Sequence, residues 1–521
     1  MKLRMKNKYI IYVIYLLLAS IGGYFAFHAM TWGPWAFSDS SAYIGAARNI
    51  ASGNGFVILQ STGEVKPLTE FPPFFPVLLS ILNGNELDYI NTIRWFNIVL
   101  FFSSIFLFSQ TLYIATRKHY LSIIATLFFI SSPQIVTAYT GAMSEPLFLF
   151  LLLFSLLLLL LIFQKDVKIF RISFFVVSSL LPITRYAGIL FVGIFGIGLF
   201  TGSRNAPLLI RVKNTILYYL IAFLPVGLWG LSFLYKYNIY GGKRFSLNLS
   251  IFHDIARSII EEFMIIRLWI PYVELYLSTL SETLIISFVS IFIISLIGWT
   301  IKQFLFSNMV NESNKINFYF LIILLFFGYI FFIGFTHSSA IPQIDIIDRM
   351  MIPIYPIWIL IIFLSLDILI RKIEYRSFII TIIIALSFIG IRYNTLRTNS
   401  YIRAMSVNGY GFTARAYQHS GLINEIRKIP ADREMISNLS GFVLFYTNRY
   451  PIQVNNFPNY SFGSGNSYGE QSFRENQGAL IILFSDFSNY YGEQSENLLL
   501  TLTNTLKAKY VDNEGGIYFY Q

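Results

Sequence analysis

The chain has 521 residues, of which 55% are hydrophobic and only 12% charged, with a mean hydropathy of +0.61. A soluble domain carries about 25% charged residues, so this composition excludes an ordinary soluble enzyme. The net charge of +11 sits mostly in short loops between apolar runs, which points to helix orientation rather than nucleic acid, and the lack of cysteine excludes disulfides and thiolate metal sites.

Apolar runs long enough to cross about 30 Å of hydrocarbon recur over the first three quarters of the chain. Lys2, Arg4, Lys6 and Lys8 precede the first run, Tyr9 to Met30, and place the N-terminus in the cytoplasm; the run is longer than a signal-peptide core and reads as a retained helix. The exterior loop 31–92 follows. In it Asp39 begins a short helix, with Tyr43, Ala46, Ala47 and Ile50 at helical spacing, that would lie along the membrane surface with Asp39 as its cap. The Ser-Gly-Asn-Gly turn at 52–55 ends it, and Pro72, Pro73 and Pro76 stiffen the return.

Further helices are expected at about 95–115, 120–136 and 146–163, then as two short crossings within 172–202 that meet near Arg185. The next, at 215–235, leads into a second exterior loop, 236–282. There Phe252, Ile255, Ile259, Phe263 and Ile266 mark an amphipathic helix lying against the bilayer or a lid. The remaining crossings are placed at 283–301, 318–335, 350–370 and 377–391.

This gives eleven transmembrane helices. Seventeen Lys and Arg fall in the segments assigned inside, opposed only by Asp166, Glu312 and Glu374. Residues 394–521 then form a small exterior α/β domain, with helical periodicity at 415–428 and 496–507. Strand-like runs stand at 441–446, 479–484 and 516–520, and an Asn/Gly/Ser-rich loop or lid at 455–475. The domain division is therefore 1–393 and 394–521.

The same topology puts Asp39, Glu70, Glu145, Arg185, Lys243, Arg244, His253, Asp348 and Arg349 on the exterior side. Transporters usually hold ionisable groups near mid-membrane, where the central parts of these crossings are nearly empty. The pattern suits an enzyme acting at the outer surface on a substrate partly embedded in lipid. Each residue also has a plainer reading. Asp39 caps a helix, Arg349 snorkels, Glu145 before Pro146 complements a helix dipole, Lys243 and Arg244 are solvated, and His253 is an interfacial helix residue rather than a metal ligand.

Several stretches together resemble the GT-C superfamily of membrane glycosyltransferases, in the branch of the protein O-mannosyltransferases and the lipid A aminoarabinose transferase. They are SDSSAYIGAARNIASGNGF, TEFPPFFP, AMSEP at 142–146, TRYAG at 184–188, PVGLWGLSFLYKYNIYGG at 225–242 and DRMMIPIYP at 348–356. The resemblance implies a GT-C-like polytopic helical fold and inverting transfer of a sugar from a polyprenyl-phosphate donor to an acceptor hydroxyl.

By position, Asp39 matches the family's first-loop base, Glu145 a second acid and Arg349 a basic residue near the donor phosphate. Arg185, Lys243 and Arg244 are further phosphate candidates; Glu145, Glu70, Tyr43 and Tyr186 are substrate-binding candidates. His253, with Glu70 and Glu145, is a candidate for a divalent ion. The chain departs from the branch at Asp39-Ser40, where Asp-Glu is frequent, and at Phe71, where the aminoarabinose enzymes have lysine, so sugar and acceptor stay open. A lipid-linked glycan transporter or a repeat-unit polymerase is the alternative.

Overall fold

The computed structural model describes residues 2–61, 63–84, 86–165, 167–202, 207–237, 244–245, 251–272, 298, 313–341, 346–372, 376–453, 478–492 and 506–520. The expected helix at 283–301, the 455–475 segment, Lys243 and residues 496–505 lie outside these, as do the side chains of Arg244 and Phe252. The chain falls into two compact units. One contains residues 1–26, 97–139 and 144–402, the other residues 27–96, 140–143 and 403–521. The sequence boundary at 393/394 falls inside a long helix, and the first-loop residues are grouped with the C-terminal ones.

The first unit is helical. Its elements are α1 (Lys2–Ala29), α4 (Ile90–Thr116), α5 (His119–Ser131), α6 (Pro133–Tyr139), α7 (Glu145–Gln164), α8 (Lys168–Thr184), α9 (Gly188–Gly202) and α10 (Leu208–Tyr237). They continue with α11 (Ile251–Ile266), α12 (Ser313–Ser339), α13 (Asp348–Met351), α14 (Tyr355–Lys372) and α15 (Arg376–Asn408), with a two-stranded ribbon of β3 (Arg244–Phe245) and β4 (Ala340–Ile341). The unit boundaries pass through α1, α4 and α15.

Seven described helices are long and apolar enough to span a membrane, or eight counting α5 with α6. The protein is thus a multi-pass membrane protein, although the expected eleven crossings are not reached among the described residues. α9 is short, and α8 carries Lys168 and Arg171 in its first turn. The single helix expected at 120–136 is broken, α5 and α6 meeting at 64°. Pro133 lacks an N–H and pushes Ser132 out of the helical region, to ψ 123°.

The second unit holds α2 (Ser38–Ala51), β1 (Val57–Leu59), β2 (Val65–Pro67), α3 (Phe74–Asn83), α16 (Arg415–His419), α17 (Leu422–Arg427) and a five-stranded sheet. The strands are β5 (Met435–Ser437), β6 (Ile452–Gln453), β7 (Ala479–Leu483), β8 (Leu506–Val511) and β9 (Gly515–Tyr520), in the order β6-β5-β7-β9-β8. β5 is parallel to β6 and β7, while β7–β9 and β9–β8 are antiparallel.

The run 441–446, expected as a strand, is a helix, α18 (Ser440–Thr447). It forms the crossover that parallel β5 and β6 require. All seven residues from Ser440 to Tyr446 are buried, so no polar face betrays the helical period.

α2 is not a surface helix. Ser41, Ile44, Arg48 and Asn49 are buried along with Tyr43, Ala46 and Ala47, as the helix packs between α3 and α18. Arg48 fixes it there. Its Nε donates to Leu87 O at 3.0 Å, Nη1 to Leu444 O at 3.0 Å, and Nη2 to Phe445 O at 2.7 Å and also to Leu87 O. The guanidinium lies over the Tyr89 ring, 5.6 Å from its centroid, and burial pushes it down to about 10. A cation on carbonyls near the C-terminal end of α18 is also favoured by the helix dipole.

Candidate functional site

Three of the expected polar residues meet in the first unit. Glu145 stands in the first turn of α7, where the helix dipole favours an acid, and its side chain is 3% exposed. Arg185 follows the last residue of α8. Pro182 sits inside that helix, and the chain turns at once into α9 through Gly188, whose N–H donates to Arg185 O at 2.8 Å. A Cβ at position 188 would stand 2.3 Å from the Leu181 carbonyl carbon, so only glycine closes this turn. Arg349 is the second residue of α13, which leads through Ile352–Ile354 into α14.

Glu145 Oε1 receives both arginines, with Arg185 Nη1 at 2.7 Å and Arg349 Nε at 3.4 Å; Arg185 Nη1 also donates to Ser144 Oγ at 3.2 Å. The three groups carry a net charge of +1. The Tyr329 hydroxyl of α12 donates at 2.7 Å to the carbonyl of Met350, next to Arg349. Two guanidiniums converging on one buried carboxylate bring two planar forks of donors to one place, a suitable arrangement for a phosphate. Arg349 is therefore not only a snorkelling residue, and Glu145 not only a dipole acid.

A second cluster stands at the other end of α14. The fully buried Asp367 receives Lys118 Nζ at 3.0 Å and Arg371 Nε at 3.3 Å.

Asp39, in the second unit, is partly exposed in the first turn of α2. It is not the cap: Phe37 precedes the helix, and its N–H donates to Ser40 Oγ at 3.2 Å. Tyr43 is buried against Phe71 and Phe75, with ring centroids at 4.7 and 5.2 Å. Glu70 is exposed in the loop before α3, and Tyr186 is 38% exposed between α8 and α9.

The backbone of Arg244 pairs with Ile341 in a two-residue ribbon. His253 is exposed, and its Nδ1 lies 3.6 Å from Asp254 Oδ1. No group of three His, Asp or Glu comes together among the described residues. Ile255 and Ile266 are buried against α12 rather than facing a bilayer, while Phe263 of the same helix is exposed.

Sequence reasoning overlooked Arg48 and Glu262. Arg48 stands in a run of small and apolar residues, and a lone arginine there was a signal of burial. Glu262, on the buried face of α11, interrupts the apolar spacing of Ile255, Ile259 and Ile266.

This architecture is the GT-C fold. The chain is similar over 96% of its length to ArnT from Cupriavidus metallidurans bound to undecaprenyl phosphate, covering 97% of that chain at a TM-score of 0.57 and 12% identity. It is also similar to the archaeal oligosaccharyltransferase AglB from Archaeoglobus fulgidus in complex with an inhibitory peptide and a dolichol-phosphate (TM-score 0.52, 12% identity, 94% of this chain and 71% of that one). The Archaeoglobus fulgidus oligosaccharyltransferase complex with zinc and sulfate aligns at a TM-score of 0.54 and 12% identity, over 96% of this chain and 72% of that one. No family model and no curated protein matches the sequence.

Proposed function

We propose that the protein is an inverting glycosyltransferase of the plasma membrane that moves a sugar from a polyprenyl-phosphate donor to an acceptor hydroxyl at the exterior face. The observation that carries this reading is the Glu145–Arg185–Arg349 cluster within a GT-C fold. Similar proteins bound to undecaprenyl phosphate and dolichol-phosphate support a lipid phosphate as the anion.

In this reaction the acceptor oxygen attacks the anomeric carbon opposite the leaving group. The carbon–oxygen bond to phosphate breaks with its electron pair going to the phosphate oxygen, and the acceptor proton passes to Asp39. Arg185 and Arg349 neutralise the departing phosphate, and Glu145 holds both guanidiniums in place before the donor arrives. Direct displacement inverts the anomeric centre. The assay that tests the reading is sugar transfer from a purified polyprenyl-phosphate sugar to added acceptors, run beside translocation of the same lipid in liposomes. Translocation without transfer would make the protein a transporter.

The looser of the two pairs, Arg349 at 3.4 Å, is the one expected to re-aim at the donor. Arg349→Ala should weaken donor binding roughly ten- to a hundredfold, the range for a lost hydrogen bond to a charged group. Arg349→Lys keeps the charge without the fork and should fall between this and wild type. Unchanged donor affinity in Arg349→Ala would remove the residue from the site.

The basic loops further support a cytoplasmic N-terminus and an exterior location for residues 394–521. A reporter fused after Gln521 should be active only on the exterior side; activity in the cytoplasm alone would invert the assignment.

A further inference from the structure

Glu262 is the most anomalous charged residue of the first unit. It is fully buried, and neither carboxyl oxygen has a hydrogen-bond partner. It lies on the face that α11 packs against α12, among Ile255, Ser258 and Ile266. α12 makes room for it with Gly334, where a Cβ would stand 3.4 Å from Glu262 Oε1 and 3.5 Å from Ile255 O.

Leaving such a group unpaired costs about 1–3 kcal/mol, and leucine would fill the same space without that cost. α11 also packs against α13, the short helix that carries Arg349. The Tyr329 hydroxyl, bonded to the carbonyl next to Arg349, lies within electrostatic reach of Glu262, Glu145 and Arg185 together. The orphaned acid and the arginine cluster therefore share a neighbour, Tyr329, and the flanking helix α13.

We propose that Glu262 is a third donor of the anion site, its carboxyl O–H hydrogen-bonding a phosphate oxygen of the ligand that Arg185 and Arg349 hold. This rests on the reading of that cluster as a lipid-phosphate site. A carboxylate would repel the phosphate and cancel charge; a carboxylic acid adds a donor and leaves the net positive charge of the arginines intact. Burial pushes the Glu262 carboxyl up to about 8, so at neutral pH it carries the proton it needs to donate. Its missing partner is then the ligand itself.

The test is binding of undecaprenyl phosphate to the purified full-length protein in detergent at pH 7, with thermal unfolding measured on the same samples. Glu262→Leu removes the donor, and affinity should fall about ten- to a hundredfold. Its melting temperature should equal or exceed wild type, because an unpaired polar group has gone. Glu262→Gln keeps an N–H donor and should bind within a few-fold of wild type. If the leucine variant does not fold, Glu262→Met asks the same question with an unbranched chain.

Wild-type affinity in Glu262→Leu or Glu262→Met, with Arg349→Ala weakened, would overturn the role of Glu262 and leave the arginine site standing. An equal loss in the leucine and glutamine variants would also overturn it. If wild type fails to bind the lipid, both readings fall.

Discussion

Asp39→Asn should lower sugar transfer by about 10²- to 10⁴-fold while donor affinity and folding stay near wild type, because general-base catalysis is worth that much and asparagine cannot take the proton. The structure sharpens the contrast with a purely structural role. Asp39 is not the cap of α2, so its local value is that of an acid in a first turn, about 0.3–1 kcal/mol. An asparagine there keeps size and polarity, and the helix is already fixed by Arg48 and by its packing on α3 and α18. A structural residue would therefore leave turnover almost untouched. Near-wild-type transfer by the folded, membrane-inserted variant would take Asp39 out of the reaction.

Arg48→Ala is expected to be the most destabilising single change in the second unit, by roughly 2–5 kcal/mol, because each buried carbonyl left without a donor costs about 1–3 kcal/mol. Truncation strands the Leu87 and Phe445 carbonyls, removes one of the two donors to Leu444 O, and empties the space over Tyr89. Arg48→Lys should recover only part of the loss, since an ammonium cannot span acceptors on both the Leu87 loop and α18. Thermal unfolding of the purified variants checks this. A melting temperature for Arg48→Ala within a degree or two of wild type would mean that the carbonyls find other donors.

The membrane helices were legible because their signal is compositional. Runs of eighteen or more apolar residues located α4, α7, α12 and α14 to within five residues at each end, whereas α1 begins seven residues before its run. What composition could not show was the break at Ser132, set by a single proline, or the helical state of 440–447, set by the neighbours that bury it on every side. The site divides in the same way. Glu145, Arg185 and Arg349 were each visible as a charge beside an apolar run, yet nothing in their spacing, 40 and then 164 positions apart, said that they share one carboxylate oxygen.

The surface placement of α2 failed because its apolar stripe was only part of what is buried. Its small residues and Arg48 pack as well, a pattern indistinguishable in sequence from a polar face. Glu262 was hidden for the opposite reason, since an acid between apolar neighbours on an amphipathic helix reads as solvated.

The ion pairs at the two ends of α14 impose a length on the protein. Arg349 and Asp367 are eighteen positions apart, roughly 27 Å along the helical path, close to the thickness of a hydrocarbon core. A free helix answers a thinner or thicker bilayer by tilting. This one is tied at one end to Glu145 on α7 and at the other to Lys118, just beyond α4, so tilting would pull on ion pairs at both ends. A bilayer of mismatched acyl-chain length must therefore either deform around the protein or strain the ion pairs at both ends.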